Sequence, residues 1–277
     1  LKRNPIPYLI ALTTASNVGS VATLTGNPQN MIVGIASGLS YTEFSLALLP
    51  VALIGMGVIW LVLVLMFPFD FRQDPAKPAS AVQDVTVTKP LLIKTLVVSA
   101  GLLVAFIAGA PIALAAFIAA SLLLITRRHQ PQTVFAEFDW SLLVFFSALF
   151  IVSGSLEASA VTNRLVNLDQ LSRGINILDF SLLTAGLSNL VSNVPAVMLL
   201  KPLVGAMENS RIGWLALASA STLAGNLTLL GSVANLIVAE TSARYRVDLS
   251  FWQYLKPGVV ITLVTLALNT AWLYLIA

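Results

Sequence analysis

Cysteine is absent from the 277 residues, and histidine occurs once, at His129. The first absence excludes a thiolate metal site and leaves the redox compartment unread. The second leaves a lone imidazole beside Arg127 and Arg128, at the end of an apolar run, where an interfacial residue is a simpler reading than a ligand or a base. Charge is scarce as well. Only 10% of residues are Asp, Glu, Lys or Arg, against roughly 25% in soluble domains. No charged residue or histidine occurs in 4–42, 44–69, 95–126, 140–156, 180–200, 212–239 or 257–277. What fills that space is apolar: 57% of residues are hydrophobic, and mean hydropathy is +0.90. A helix needs roughly 20 apolar residues to cross the hydrocarbon core, so the chain reads as an all-α integral membrane protein. The net charge of +3 requires no nucleic acid, because basic loops on one membrane face account for it.

The layout follows from these runs. One span is expected over 6–38, interrupted at 25–30, and a second over 45–67. Residues 68–94, with Pro68, Pro75, Pro78 and Pro90, read as a cytoplasmic linker. Short spans over 95–110 and 112–126 meet at Gly109-Ala110-Pro111, and another span follows over 140–158. Residues 159–173 read as an amphipathic interfacial helix. Residues 176–201 are apolar but broken by Ser188–Pro195. A broken span over 212–242, interrupted at 225–232, and a last span over 257–277 complete the chain. If 176–201 enters and leaves on one face, Lys and Arg divide 11 inside to 4 outside; a full crossing gives 10 to 5. The charge rule leans toward a re-entrant hairpin.

The breaks carry the functional signal. "ASNVGSVATLTGNPQNMIV" has a copy 205 residues on, with eight identities: Ala15-Ser16 on Ala220-Ser221, Thr23-Leu24 on Thr228-Leu229, Gly26 on Gly231, Asn30 on Asn235, and Ile32-Val33 on Ile237-Val238. Each copy is an apolar half-helix, a polar break and a second half-helix. Asn27 followed by Pro28 reads as an N-cap with proline in the first turn, and Ser232 is the matching cap. The copies are expected to run in opposite directions, because the second is the sixth crossing counted from and including the first. Inverted repeats with discontinuous helices mark secondary transporters, with the substrate at the repeat interface. Irregular backbone at membrane depth is tolerated where protein or a wet cavity satisfies it. Free N–H groups at the half-helix starts suit an anion, and loop carbonyls with Ser, Thr and Asn oxygens suit Na⁺.

"SNVGSVATLTGNPQNMIVG", "DWSLLVFFSALFIVSGSLEASAV" and "LSNLVSNVPAVMLL" together resemble the ion-transporter superfamily. That group includes citrate–metal transporters, divalent-anion/sodium symporters, arsenite efflux pumps, D-type Na⁺/H⁺ antiporters and the melanosomal P protein. The resemblance implies an elevator-type secondary carrier, often a homodimer, in the bacterial inner (plasma) membrane. Residues 1–67 would end the first repeat and 95–277 would form the second. The first repeat would be truncated, its hairpin and preceding spans lying before residue 1, so a fragment of a longer protein is expected. Carried over by motif, the first-half site would be Ser16, Asn17, Thr23, Gly26, Asn27 and Asn30. The second half would give Ser188, Asn189, Ser192, Asn193, Ser221, Thr222, Thr228, Gly231, Ser232 and Asn235. Na⁺ or H⁺ is the expected coupling ion, with any Na⁺ at these same residues and no other cofactor or metal. The tip reads Ser188-Asn189-Leu190 and Ser192-Asn193-Val194 where dicarboxylate symporters carry Ser-Asn-Thr, so a dicarboxylate substrate is not implied.

Plainer readings compete. Ser16, Thr23, Ser221 and Thr222 suit close helix packing as well as substrate contact, and Gly26 and Gly231 suit a backbone turn. Amides are costly in lipid without partners, which favours a site role for Asn27, Asn30, Asn193 and Asn235. Glu157, Asp139, Asp179, Lys201 and Glu240 fall at span ends and read as interfacial. A membrane-embedded enzyme would need a carboxylate cluster, a His-based metal site or a nucleophile with its base. A structural subunit gives no reason for the duplicated break. A channel and a Na⁺/H⁺ antiporter remain as alternatives within transport.

Overall fold

The computed structural model describes residues 4–71, 88–125, 131–136, 138, 140–158, 175–205 and 207–277. Residues 72–87 of the linker, the segment 159–173, Asp139 and the Glu157 side chain lie outside them. Every regular element among the described residues is an α-helix: α1 Ile6–Ser20, α2 Pro28–Ser37, α3 Tyr41–Met66, α4 Pro68–Phe71, α5 Lys89–Ile107, α6 Ile112–Leu124, α7 Pro131–Ala136, α8 Trp140–Ala158, α9 Ile177–Val191, α10 Asn193–Val204, α11 Ser210–Ala224, α12 Val233–Arg244 and α13 Phe251–Ile276. Three of them, α3, α5 and α13, are long and apolar enough to cross a bilayer. The chain is an integral membrane protein.

Local chemistry sets the helix starts. Ser40 caps α3 through the Glu43 N–H, Asn176 caps α9 through Asp179 and Asn209 caps α11 through Ile212. At α13, Ser250 and Gln253 form a reciprocal capping box. Two helices begin before the apolar runs, α13 at its capping box and α5 with Pro90 in its first turn. α13 starts six residues before 257 and takes in Lys256, while α5 starts at Lys89, inside the stretch read as linker. Both lysines fall in the first two turns, where a long side chain can reach the interface.

α11 is the centre of the fold. From Ile212 to Ala224 only Trp214 is not fully buried. The run Ala216, Ala218, Ser219, Ala220, Ser221 lets neighbouring backbones approach closely, which is how helices associate without a hydrophobic driving force. α9, α10, α13 and α2 all pack on it. α3 and α13 lie antiparallel: Trp272 Nε1 donates to the Ala47 carbonyl at 2.8 Å, and Gly55 faces Thr265 further along. α1 packs on α3 and on α12, as α11 packs on α13 and on α2.

The ends of the helices gather on two levels. At one, Arg211 Nε meets Glu43 Oε1 at 2.6 Å, joining the starts of α11 and α3. Asn176, just before α9, lies 3.5 Å from Tyr274 Oη, and Asn209, beyond α10, donates to the Ala277 carbonyl at 3.4 Å. Both outer ends of the α9–α10 pair therefore sit at the same end of α13. At the other level, the start of α1, the end of α3 and the start of α13 surround a pocket lined by Asn4, Phe67, Gln253 and Lys256. With 15 and 12 residues, α9 and α10 are about 22 and 18 Å long, short of a roughly 30 Å hydrocarbon core. They are separated by Ser192 alone, whose φ of +78° breaks the helical path.

Candidate functional site

The two breaks are built alike, and the likeness extends to individual atoms. Asn30 Nδ2 donates to the carbonyls of Ser20 and Thr23, both at 3.0 Å. At positions 205 further on, Asn235 Nδ2 donates to the carbonyls of Gly225 and Thr228, at 2.8 and 3.0 Å. Each asparagine, fully buried, thus ties the end of one half-helix to the start of the next. The carbonyls it satisfies are ones that the unwinding has released. The turn inside each break repeats as well, with Gly26 N–H on Thr23 O and Gly231 N–H on Thr228 O. A Cβ at Gly26 would run into the Ser20 carbonyl oxygen, and one at Gly231 would lie 2.9 Å from that of Gly225. At both glycines the chain passes close against its own backbone.

Reciprocal bonds join the halves. Asn27 Nδ2 donates to Thr222 Oγ1 at 3.1 Å, and at the shifted positions Ser232 Oγ donates to Asn17 Oδ1 at 2.9 Å. Thr222 Oγ1 donates to Asn30 Oδ1 at 3.3 Å, while Asn17 Nδ2 donates to Asn235 Oδ1 at 3.1 Å. Asn226 Oδ1 also accepts from Asn17, at 2.8 Å. The caps complete the pattern: Asn27 Oδ1 accepts from the Asn30 N–H, and Ser232 Oγ from the Ala234 N–H.

A cavity of about 240 Å³ opens where these elements meet. Gly26, Asn27, Pro28 and Gln29 bring the start of α2 to it. Ser232, Val233 and Ala234 bring the start of α12, and Ser192, Asn193 and Val194 the start of α10. Ser16, Asn17 and Ser20 of α1, with Phe146 of α8 and Ile237, fill the remaining wall. Three helix N-termini therefore face one space. Each carries roughly half a positive charge from its aligned peptide dipoles and its unpaired N–H groups. Among the described residues, no Asp, Glu, Lys, Arg or His lines the cavity, and no group of three metal-ligating side chains occurs.

Of the residues expected at a site, Ser16, Asn17, Gly26, Asn27, Ser192, Asn193 and Ser232 line the cavity. Asn30, Thr222 and Asn235 stand behind it, holding the breaks and the halves together. Thr23 and Thr228 lend their carbonyls to that framework, and Gly231 its tight turn. Asn189 Nδ2 bonds the Ala224 carbonyl at 3.0 Å, bringing the α9–α10 turn against the second break. Ser221 is buried and bonds back to Ala218 O. Ser188 is buried too and does not reach the cavity. Sequence reading missed Ser20, Gln29 and Asn226. Gln29 and Asn226 carry amides within or beside the breaks, and that is the signal that could have found them. Asp179 and Glu240 are exposed, the latter paired with Arg244 at 2.7 Å.

Comparison with known proteins places the chain among membrane transporters. A 46 kDa membrane protein of Mycobacterium leprae is 31% identical over 98% of this chain and 68% of its own length. A transporter of Mycobacterium tuberculosis is 30% identical over 99% of the chain and 68% of its own length. A silicon efflux transporter of Oryza sativa subsp. japonica is 30% identical over 95% of the chain and 69% of its own length. Such relatives mark the protein as a membrane transporter. The family model described as citrate transporter matches residues 1–224, and the chain belongs to that family.

Proposed function

We propose that the protein is a secondary active transporter that moves a small anion, with Na⁺ or H⁺ as the coupling ion. The observation that carries this reading is the convergence of three helix N-termini, at Pro28, Asn193 and Val233, on one cavity without a charged side chain among the described residues. Oriented N–H groups and helix dipoles then supply the positive potential for the substrate. Without a Lys or Arg partner, binding is modest, and a bound cation offsets the substrate's charge.

In this account the two breaks belong to inverted repeats, and α9–α10 is a re-entrant hairpin whose turn reaches the second break. Support comes from the bonds that recur under the 205-residue shift, and from Asn176 and Asn209 meeting the same end of α13. For the cation, the donors are oxygens beside the hairpin turn. Ser188 Oγ, Asn189 Oδ1 and Asn193 Oδ1 are buried and without a hydrogen-bond partner. Hard oxygen donors of this kind fit Na⁺. The rice relative's name adds a silicon species to the substrates worth assaying.

The test is flux in proteoliposomes under imposed Na⁺ or pH gradients, with citrate, orthosilicate and other small oxyanions inside or outside. Accumulation of at least one of them that collapses when the cation gradient is dissipated is the expected result. Na⁺/H⁺ exchange that no anion alters would replace this reading with a cation antiporter.

A further inference from the structure

The repeats match closely where they bond each other, and they differ where they face the cavity. At the paired positions, Gly26 and Gly231 are identical and Asn27 and Ser232 are both caps, but Gln29 stands against Ala234. Both members of this last pair line the cavity. Ser20 and Gln29 are the polar side chains there whose counterparts in the second copy, Gly225 and Ala234, carry none; Gln29 brings the amide, and it is only 4% exposed. A buried amide at membrane depth is expensive unless both ends are used.

Its neighbours settle which way the amide points. The Thr222 hydroxyl gives its single proton to Asn30 Oδ1 and accepts one from Asn27 Nδ2. Only a donor can join it there, so Gln29 approaches with Nε2, at 3.3 Å. Gln29 lines the cavity, and its Oε1 has no hydrogen-bond partner among the described residues. The other amide oxygens are committed or shut away. Asn17 Oδ1 accepts from Ser232, Asn27 Oδ1 from the Asn30 N–H, and Asn193 Oδ1 is closed off from the cavity. Ser16 and Ser192 have hydroxyls that can act either way.

We propose that Gln29 is the specificity-determining residue of this cavity, its amide oxygen accepting a hydrogen bond from a hydroxyl group of the transported anion. The inference rests on the anion-transport reading above and narrows it. Helix N-termini hold the charged oxygens, while Gln29 requires an O–H close to them, as in a hydroxycarboxylate or a partly protonated oxoacid. A fully ionised oxyanion or a deoxy analogue leaves Oε1 unpaired, and sites built to bond a hydroxyl reject analogues lacking it. Thr222 is the positioning residue, acting through Gln29.

The experiment measures binding by calorimetry to the full chain in nanodiscs with saturating Na⁺. The probes are glycolate and acetate, malate and succinate, citrate and tricarballylate, and orthosilicate. In the wild type the tightest ligand carries a hydroxyl, and its deoxy partner, where one exists, binds roughly ten- to a hundredfold more weakly. Gln29→Met weakens the hydroxylated ligand by a similar factor and leaves the deoxy partners within about twofold, a readout that general damage to the fold would not spare. For orthosilicate, Gln29→Met must weaken binding while Gly57→Ala, away from the cavity and with open space around its Cβ, leaves it intact. A hydroxyl preference that survives Gln29→Met overturns the proposal and leaves the anion cavity standing. So does equal wild-type binding of the deoxy partner, or loss of every ligand together in the variant. If no probe binds the wild type, both the proposal and the reading beneath it fall.

Discussion

Replacing Asn30 or Asn235 with leucine tests whether the two breaks are equivalent parts. The volumes are nearly matched, so the change is chiefly in hydrogen bonding. Asn30→Leu removes one hydrogen bond each from the carbonyls of Ser20 and Thr23, which keep the Thr23 and Gly26 N–H groups, and Asn235→Leu one each from those of Gly225 and Thr228, the latter keeping the Gly231 N–H. A lost hydrogen bond costs about 0.5–1.5 kcal/mol net, so two of them set a loss of roughly 1–3 kcal/mol in either variant. The opposing bonds, Thr222 Oγ1 to Asn30 Oδ1 and Asn17 Nδ2 to Asn235 Oδ1, are lost as well. Asn17 Nδ2 keeps Asn226, which limits the extra cost on that side. Hydrogen bonds between membrane helices average nearer 0.6 kcal/mol, because the unfolded chain also finds partners in the bilayer, so the lower half of the range is expected. Reversible unfolding in mixed micelles measures it. Two losses that agree within about 1 kcal/mol are the predicted result. A loss below about 0.5 kcal/mol in both, or a large loss in one alone, would refute the reasoning.

Gly26→Ala and Gly231→Ala place a methyl group against backbone carbonyls and should each destabilise by about 1–3 kcal/mol, whereas Gly57→Ala, where nothing lies nearby, should stay within about 0.5 kcal/mol; thermal midpoints in detergent compare the three. Ser192→Gly relieves a φ of +78°, a region that disfavours side chains, and should raise the midpoint by the equivalent of about 1 kcal/mol. A lowered midpoint would show that the Ser192 side chain contributes more than its backbone strain costs.

The breaks were legible in the sequence because their causes are local. Asn27-Pro28 and Ser232 are capping residues, Gly26 and Gly231 permit close approach, and eight identities in fixed register reveal the duplication. Which polar groups face the cavity was not legible. Ser16 and Ser221 are a matched pair, yet one lines the cavity and the other is buried against its own helix. That difference depends on how each half-helix is rotated against its neighbours, and on α9 and α10 covering α11. Thr222 belongs to the same class: its hydroxyl is consumed by Asn27, Gln29 and Asn30, a partnership between residues nearly 200 positions apart. Gln29 was passed over because comparison of the copies rewards identity, and its counterpart is alanine. The early starts of α5 and α13 were missed because hydropathy ends at the first lysine, whereas a long flexible side chain, with a capping box at α13 and a first-turn proline at α5, lets the helix begin sooner.

The central claim is that α2 and α10 deliver their N-termini to one transport cavity. It is tested most directly by cation-driven anion flux through the full chain carrying Asn27→Leu or Asn193→Leu. Both side chains line the cavity, and Asn27 also caps α2. Loss of the helix cap costs about 1 kcal/mol, which a membrane-inserted protein survives, so both variants should insert and purify as the wild type does. Flux should fall at least about tenfold in each, the equivalent of one lost hydrogen bond to a charged group. Wild-type flux in both variants, with insertion intact, would contradict the account.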